Sequence, residues 1–415
     1  MAHKRTLSRP MAMWHRKQNL WRSFTVLAIV VIIAALGVRL LMPSMAATDG
    51  LWLSGVAAQP NDLANAKAFA DWRGSPLTMV GCWDDPNRNY CMTAYKGFTG
   101  SIDVGPGFLN GSETYAQAAA GSVDARWKAQ LQAYQANWGS IDTLYLRPAH
   151  EMNGNWFGWS IRNSSDAENF KKAWVRYYNL VQSELVSKGR KVKMVMGYNW
   201  DSKGISIDSY WPGDQYVDVV GADYYDADYT TGSPKCYSTP AQWDNLQKQS
   251  NRAGMMGPNA WLAFSKEHGK PFSFPEWGMS NAGQSCDDTL WVQNLHNFMS
   301  ANAGSGAGQF LYDIYFNFDN YGSCRLWPNS QAPKAAALYK SLKWGSAGTV
   351  TPPTPPTTPP STTKSPDLNA DGKVNLTDLS MLLAQWGKTG TADLNTSGKV
   401  DLTDLSILLV AWKPS

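Results

Sequence analysis

Eight short apolar runs, rich in β-branched and aromatic residues, recur at 51–59, 77–85, 101–107, 143–151, 192–200, 216–225, 271–277 and 310–318, with longer polar stretches between them. Runs of this length bounded by polar segments read as buried strands, and strands separated by helices form a parallel sheet covered on its outer face. Trp127, Leu131, Tyr134 and Trp138 repeat at helical spacing between the third and fourth runs, and Phe170, Trp174, Tyr177, Val181 and Leu185 do so after the fourth. Each stripe gives its helix one apolar face to set against the sheet. The pattern predicts an α/β fold, a (β/α)8 TIM barrel over residues 48–348, with its chemistry at the C-terminal ends of the strands.

The flanking segments differ sharply in composition. Lys4, Arg5, Arg9, Arg16, Lys17 and Arg22 precede an uncharged run at 23–38 and then Ser44-Met45-Ala46, so 1–47 reads as a secretory signal peptide or an uncleaved membrane anchor. Either places the remainder secreted or at the cell surface, touching a membrane only through this segment. Seven of the 37 Lys and Arg lie there; the rest of the chain carries 30 against 33 acidic residues, which excludes the basic footprint of nucleic-acid binding. Residues 349–364 are nearly all Thr and Pro, an extended linker to a tail at 365–415. All five cysteines fall in the barrel region: Cys82 and Cys91 can staple one loop, while Cys236, Cys286 and Cys324 compete for one bridge. Three histidines without paired spacing give the barrel no metal site, and no GxSxG follows a strand.

Only six glutamates occur in the barrel region, and two stand at strand ends: Glu151 after the fourth run and Glu276 after the seventh. A carboxylate beside a buried strand is costly unless paired or functional, and a salt bridge from Glu151 to Arg147 is the simplest structural account. A pair on opposite sides of a barrel mouth suits glycoside hydrolysis, in which one carboxyl protonates the leaving oxygen and the other meets the oxocarbenium-like centre. Rings near strand ends, Trp83, Trp156, Trp159, Trp200 and Trp277, are candidates for stacking on sugar faces.

The blocks RPAHEMNGNWFGW (147–159) and FPEWG (274–278) resemble the two catalytic blocks of glycoside hydrolase family 26, whose best-known members are β-mannanases. The resemblance implies a retaining endo-β-glycanase needing no cofactor, with Glu151 as acid/base and Glu276 as nucleophile. His150 is then the histidine beside the acid/base, and Trp156 a substrate contact. Arg147 and Asn153 belong to the surrounding shell. In GADYYD (221–226), Asp223 and Tyr225 match an Asp-x-Tyr pair whose Tyr bonds the nucleophile. The eighth run carries Phe316 and Phe318 where family mannanases commonly have a Trp, so β-1,4-mannan is the expected substrate while β-1,3-xylan and mixed-linkage glucan stay open. A polysaccharide-binding barrel without catalysis is the alternative of another class.

The tail holds DLNADGKVNLTD (367–378) and DLNTSGKVDLTD (393–404), 26 residues apart, each with oxygen side chains at loop positions 1, 3, 5, 9 and 12 and Gly at 6, as in an EF-hand calcium loop. With Asp at position 12 and one Leu-rich helix per loop, the tail resembles a small all-α dockerin. The implied calcium ligands are Asp367, Asn369, Asp371, Asn375 and Asp378, then Asp393, Asn395, Ser397, Asp401 and Asp404. The implied partner is a cohesin-like or other surface protein, although Leu376-Thr377 and Leu402-Thr403 stand where Ser/Thr pairs are usual.

Overall fold

The computed structural model describes residues 52–226, 236–280, 287–319, 324–345, 364–396 and 398–412, omitting 402, 403, 406, 409 and 410 from the last stretch. The expected N-terminal targeting segment and the Thr/Pro linker, up to Thr363, lie outside these residues. The chain divides into two compact units at Thr349.

The first unit is a closed, all-parallel barrel of eight strands in sequential order. They are β1 (Leu53–Ala58), β2 (Met79–Trp83), β3 (Ser101–Gly105), β4 (Leu144–Leu146), β5 (Val192–Asn199), β6 (Val219–Asp226), β7 (Phe272–Met279) and β8 (Phe310–Asn317). The helices are α1 (Leu63–Arg73), α2 (Cys91–Ala94), α3 (Tyr115–Ala120), α4 (Asp124–Ala136), α5 (Ser164–Glu184), α6 (Pro240–Gln247), α7 (Pro258–Glu267), α8 (Thr289–Asn302) and α9 (Pro333–Ser341). The helical stripes lie where periodicity put them: Trp127, Leu131 and Tyr134 are buried on α4, and Phe170, Trp174, Tyr177 and Val181 on α5. The α5 start is fixed by Asn163, whose side chain accepts from the Asp166 N–H. Among the described residues no helix is long and apolar enough to cross a membrane.

Two layers of core follow from strand alternation. An inner cluster holds Ala57, Met79, Tyr145, Val195, Val219, Tyr312, Ile314 and Phe316, while a much larger aromatic cluster fills the space between sheet and helices. Strand β4 is shorter than the 143–151 run, and residues 147–151 form a turn past its end. Conversely, β7 continues beyond Glu276, so this carboxylate lies within a strand rather than after one.

The Cys82–Cys91 disulfide closes the loop after β2. Cys236 is also disulfide-bonded, and Cys286 lies outside the described residues. Cys324 is buried.

In the second unit, α10 (Leu376–Ala384) starts from a reciprocal cap between Asn375 and Asp378. Val374, Leu382, Ala392, Leu394, Val400 and Leu408 form its core. The turns at Ala370, Gly372, Thr396 and Gly398 have positive φ, which bends each acidic loop back on itself.

Candidate active site

Glu276 enters the barrel mouth because β7 carries one residue too many. Ser273 pairs with Gly221 on β6 but Trp277 with Tyr224, and Phe274 pairs with Asp313 on β8 but Trp277 with Tyr315, so both neighbours see an extra residue in β7. Phe274 and Trp277, three apart, both pack in the outer layer, leaving Pro275 and Glu276 together on the inner side. A β-bulge produces this doubling, and proline, which has no N–H to place in a ladder, is tolerated there. Trp277 anchors the arrangement by donating its indole N–H to Asp313 at 2.9 Å.

Glu151 arrives by a strained turn. Ala149 and Glu151 both have φ of 53°, a left-handed backbone that costs a non-glycine residue about 1–3 kcal/mol. The turn is held because the Glu151 N–H donates to the Gly197 carbonyl of β5 at 2.8 Å, and because the Glu151 carboxylate accepts from Asn199 Nδ2 at 2.8 Å and Trp156 Nε1 at 2.8 Å. Asn153 braces the same junction: its Nδ2 donates to the Asn199 carbonyl at 2.6 Å and its Oδ1 accepts from the Asn199 N–H at 2.7 Å.

The salt bridge expected between Glu151 and Arg147 is not formed. Arg147, fully buried, directs Nε to Asp103 at 3.1 Å and Nη1 to Asp223 at 2.7 Å, and its Nη2 lies 4.0 Å from Glu276 Oε2. Its stem crosses β5 at Gly197, where an added Cβ would come within 2.4 Å of the Arg147 Cδ. Tyr225 donates its hydroxyl to Glu276 Oε1 at 2.6 Å, as the Asp-x-Tyr pattern implied.

Burial pushes the carboxyls of Glu151 and Glu276 up, and the like charge of Glu151 adds to the rise at Glu276, which reaches about 7 despite the Arg147 charge and the Tyr225 hydroxyl. Two facing carboxyls of this kind titrate as a pair, the first ionisation leaving one proton between them. Burial, then Arg147, pulls the His150 imidazole well below its usual range, so it is neutral. Its Nδ1 has no hydrogen-bond partner among the described residues.

Trp156, at 47% exposed, and the half-buried Trp83 line the mouth, Trp83 with Phe316 edge-on to it at 5.3 Å and Arg147 over its face at 5.6 Å. Trp200 does not join them: it is 3% exposed and packs on Tyr224 and Tyr237, because it follows the last β5 residue and turns to the outer layer. Trp277 is likewise a core ring. Sequence reasoning also missed Asp103, Tyr312 and Asn199. For Asp103 a signal existed, since an acid in the middle of the apolar run SIDVG has to be partnered.

In the tail, Asp378 accepts from the N–H groups of Leu368, Asn369 and Asn375, and Asp404 from those of Leu394, Asn395 and Asp401. Asp367 and Asp393 each accept from the loop glycine. Carboxylates and amide oxygens on tightly bent loops are the hard donors a calcium ion takes, so the set fits that ion. Ser397 lies outside the described residues.

Residues 51–255 match the model of glycosyl hydrolase family 26, and residues 366–410 the dockerin type I domain. The first match ends before β7, so Glu276 lies beyond it. A mannan endo-1,4-beta-mannosidase of Bifidobacterium adolescentis is 26% identical over 64% of this chain and 26% of its own length. The chain is also similar to endoglucanase H of Acetivibrio thermocellus, 24% identical over 48% of this chain and 20% of that protein. Thus the chain spans about a quarter of the length of these curated relatives. The structure of a modular endo-beta-1,4-mannanase from Cellulomonas fimi superposes with a TM-score of 0.51 at 18% identity, covering 74% of each chain, a likeness of fold. Barrel, motif blocks and paired loops together assign the chain: its barrel belongs to glycosyl hydrolase family 26 and its tail to the type I dockerin domains.

Proposed function

We propose that this protein is a secreted endo-β-mannanase that cleaves β-1,4-mannan with retention of anomeric configuration, Glu276 serving as nucleophile and Glu151 as acid and base. The observation that carries the assignment is the difference in what each carboxylate faces. Glu276 has the Tyr225 hydroxyl at 2.6 Å and the Arg147 guanidinium at 4.0 Å, both favouring charge, whereas Glu151 accepts from two neutral N–H donors and makes no ion pair with Arg147, whose charge acts on it from further off. In this reading Glu151 holds the shared proton and Glu276 the charge when the sugar is bound.

With a sugar across the mouth, Glu276 attacks the anomeric carbon as the glycosidic C–O bond breaks, and the leaving oxygen takes the Glu151 proton. The Glu151 carboxylate then removes a proton from water, whose oxygen displaces Glu276 from the anomeric carbon and restores both groups. Trp156 and Trp83 supply ring faces to the sugar. The name of the relative matched over 64% of this chain, a mannan endo-1,4-beta-mannosidase, supports mannan. Dockerin type I domains bind calcium; here Asp367, Asn369, Asp371, Asn375 and Asp378 would hold one ion, and Asp393, Asn395, Ser397, Asp401 and Asp404 a second. The exposed Leu376, Leu383 and Trp386 on and after α10 form the face offered to a cohesin-like partner.

Reducing-sugar release from mannan, β-1,3-xylan and lichenan tests the reading. Release from mannan with a retained anomer in the first product is expected. Release confined to another polysaccharide would overturn the substrate, and none from any would leave a binding barrel.

A further inference from the structure

Asp103 and Tyr312 take no part in the steps above, yet both are fully buried inside the barrel and bonded to its charged centre. Asp103, on β3, accepts from Arg147 Nε through Oδ1 and from the Tyr312 hydroxyl through Oδ2 at 2.7 Å. Tyr312, on β8, packs its ring on Tyr145 of the inner core at 5.0 Å. A strut thus runs across the barrel from β8 through β3 to the guanidinium after β4, and on to Asp223 on β6 and Glu276 on β7.

The geometry of the guanidinium says what the strut does. Its plane is rigid, and one contact would leave it free to rotate about that contact, whereas two on different nitrogens fix the plane. Asp103 holds Nε and Asp223 holds Nη1. Nη2 is the nitrogen left over: it has no hydrogen-bond partner among the described residues, although it is buried, and it faces Glu276. We infer that Asp103 and Tyr312 are positioning residues for the reaction, a strut that holds the Arg147 plane so that Nη2 is reserved for the Glu276 carboxylate. The inference rests on Glu276 being the nucleophile. As the covalent bond forms, Glu276 loses its charge, and in the second step it regains it; a cation fixed at that distance stabilises the departing carboxylate without having to move.

The groups facing Glu276 are Glu151 and Arg147 from the turn after β4, Tyr225 and Asp223 from β6, and Asp103 from β3, while Tyr312 and His150 face Arg147. Replacing Asp103 by Asn removes one negative charge from this set and loosens the Arg147 plane, both without touching substrate. The test is kcat and KM on the best polysaccharide substrate of the wild type, with a pH profile, for Asp103→Asn and Tyr312→Phe. Asp103→Asn should lower kcat ~10- to 100-fold with KM within about twofold, as misplacing a catalytic group does. Tyr312→Phe, which keeps every charge, should lower kcat ~3- to 10-fold and leave the acidic limb where it is. A folded Asp103→Asn with kcat unchanged, or with its loss falling on KM instead, would overturn the inference, since a merely structural residue would change only yield or Tm. If Asp103→Asn fails to fold, Tyr312→Phe decides: an unchanged kcat sinks the strut, and a lowered kcat at constant KM supports it. A wild type inactive on every polysaccharide refutes the underlying function and with it this role.

Discussion

Four aspartates, two in the barrel and two in the tail, are equally hidden from solvent, and their protons behave oppositely. Asp103 and Asp223 are fully buried, and burial raises both, Asp223 strongly, since Glu276 and Glu151 add their like charges against the single cation Arg147. Asp378 and Asp404 are just as inaccessible, and burial pushes them up too, but three backbone N–H groups from each loop overcome it and hold them below the usual carboxylate range. Accessibility alone therefore says little about a carboxyl. Two things differ: the barrel acids sit deep within a large fold while the tail acids lie just beneath the surface of a small one, and each tail acid takes three backbone N–H bonds from its own loop. In the barrel several buried carboxyls share the single cation Arg147, whereas in the tail each acid is met by three N–H groups of its own loop.

The sharpest way to break this contrast is to remove the proton-carrying groups. Glu276→Gln should cost ~10⁴-fold or more in kcat on polysaccharide and Glu151→Gln ~10²- to 10⁴-fold, both with fold and binding intact. On an aryl glycoside whose leaving group needs no proton, Glu151→Gln should recover and Glu276→Gln should not; equal impairment in steady-state assays would reverse or void the roles.

In the tail the corresponding change is Asp378→Asn, which keeps the shape but removes the charge. Calcium affinity of the segment 365–415, followed by calorimetry, should fall on the order of 100-fold, and the helix signal in circular dichroism should disappear with chelator and return with excess calcium. A helical spectrum indifferent to calcium would leave the loops as ordinary turns. Asp378 and Asp404 have depressed pKa values when folded, so their stabilising effect is present above the unfolded carboxylate pKa and lost as pH falls through the folded one. Acid should therefore unfold the tail below about pH 4.

Smaller effects separate the terms acting on Glu276. Tyr225→Phe removes a donor to its charged form, so kcat should drop ~10-fold and the acidic limb should move up. Glu151→Gln removes a like charge, so on the activated substrate the limb should move down. Limbs that shift together, in pH profiles of the two variants, would contradict this account of the pair.

The sequence made the barrel legible because apolar runs and helical stripes record burial directly, and it marked Glu151 and Glu276 because glutamates are few in the barrel region and these two stand at strand ends. It did not record how they are aimed. The left-handed backbone at Ala149 and Glu151 has no glycine to announce it, and the β7 bulge is visible only against the register of β6 and β8. Trp200 escapes a sequence reading for a related reason: a ring at a strand end can face the mouth or the helices, and composition is the same in both cases. In the tail, Leu382 and Leu408 pack the core with Leu379 and Leu405 partly buried against it, whereas Leu383, on the same helix as Leu382, is 52% exposed, a difference that the richness in Leu does not announce.

The bulge at Pro275 and Glu276 has one further consequence. In a strand, inside and outside are a matter of even and odd, and the extra residue is a parity shift that all later positions inherit. The location of Glu276, the proposed nucleophile, is thus written in a count, not in the identity of any one side chain. Substitution scanning along β7 would pass over it. Deleting Pro275 would leave every functional residue in the chain and turn Glu276 toward the helices, so along this strand the site depends on the number of residues as much as on their identity.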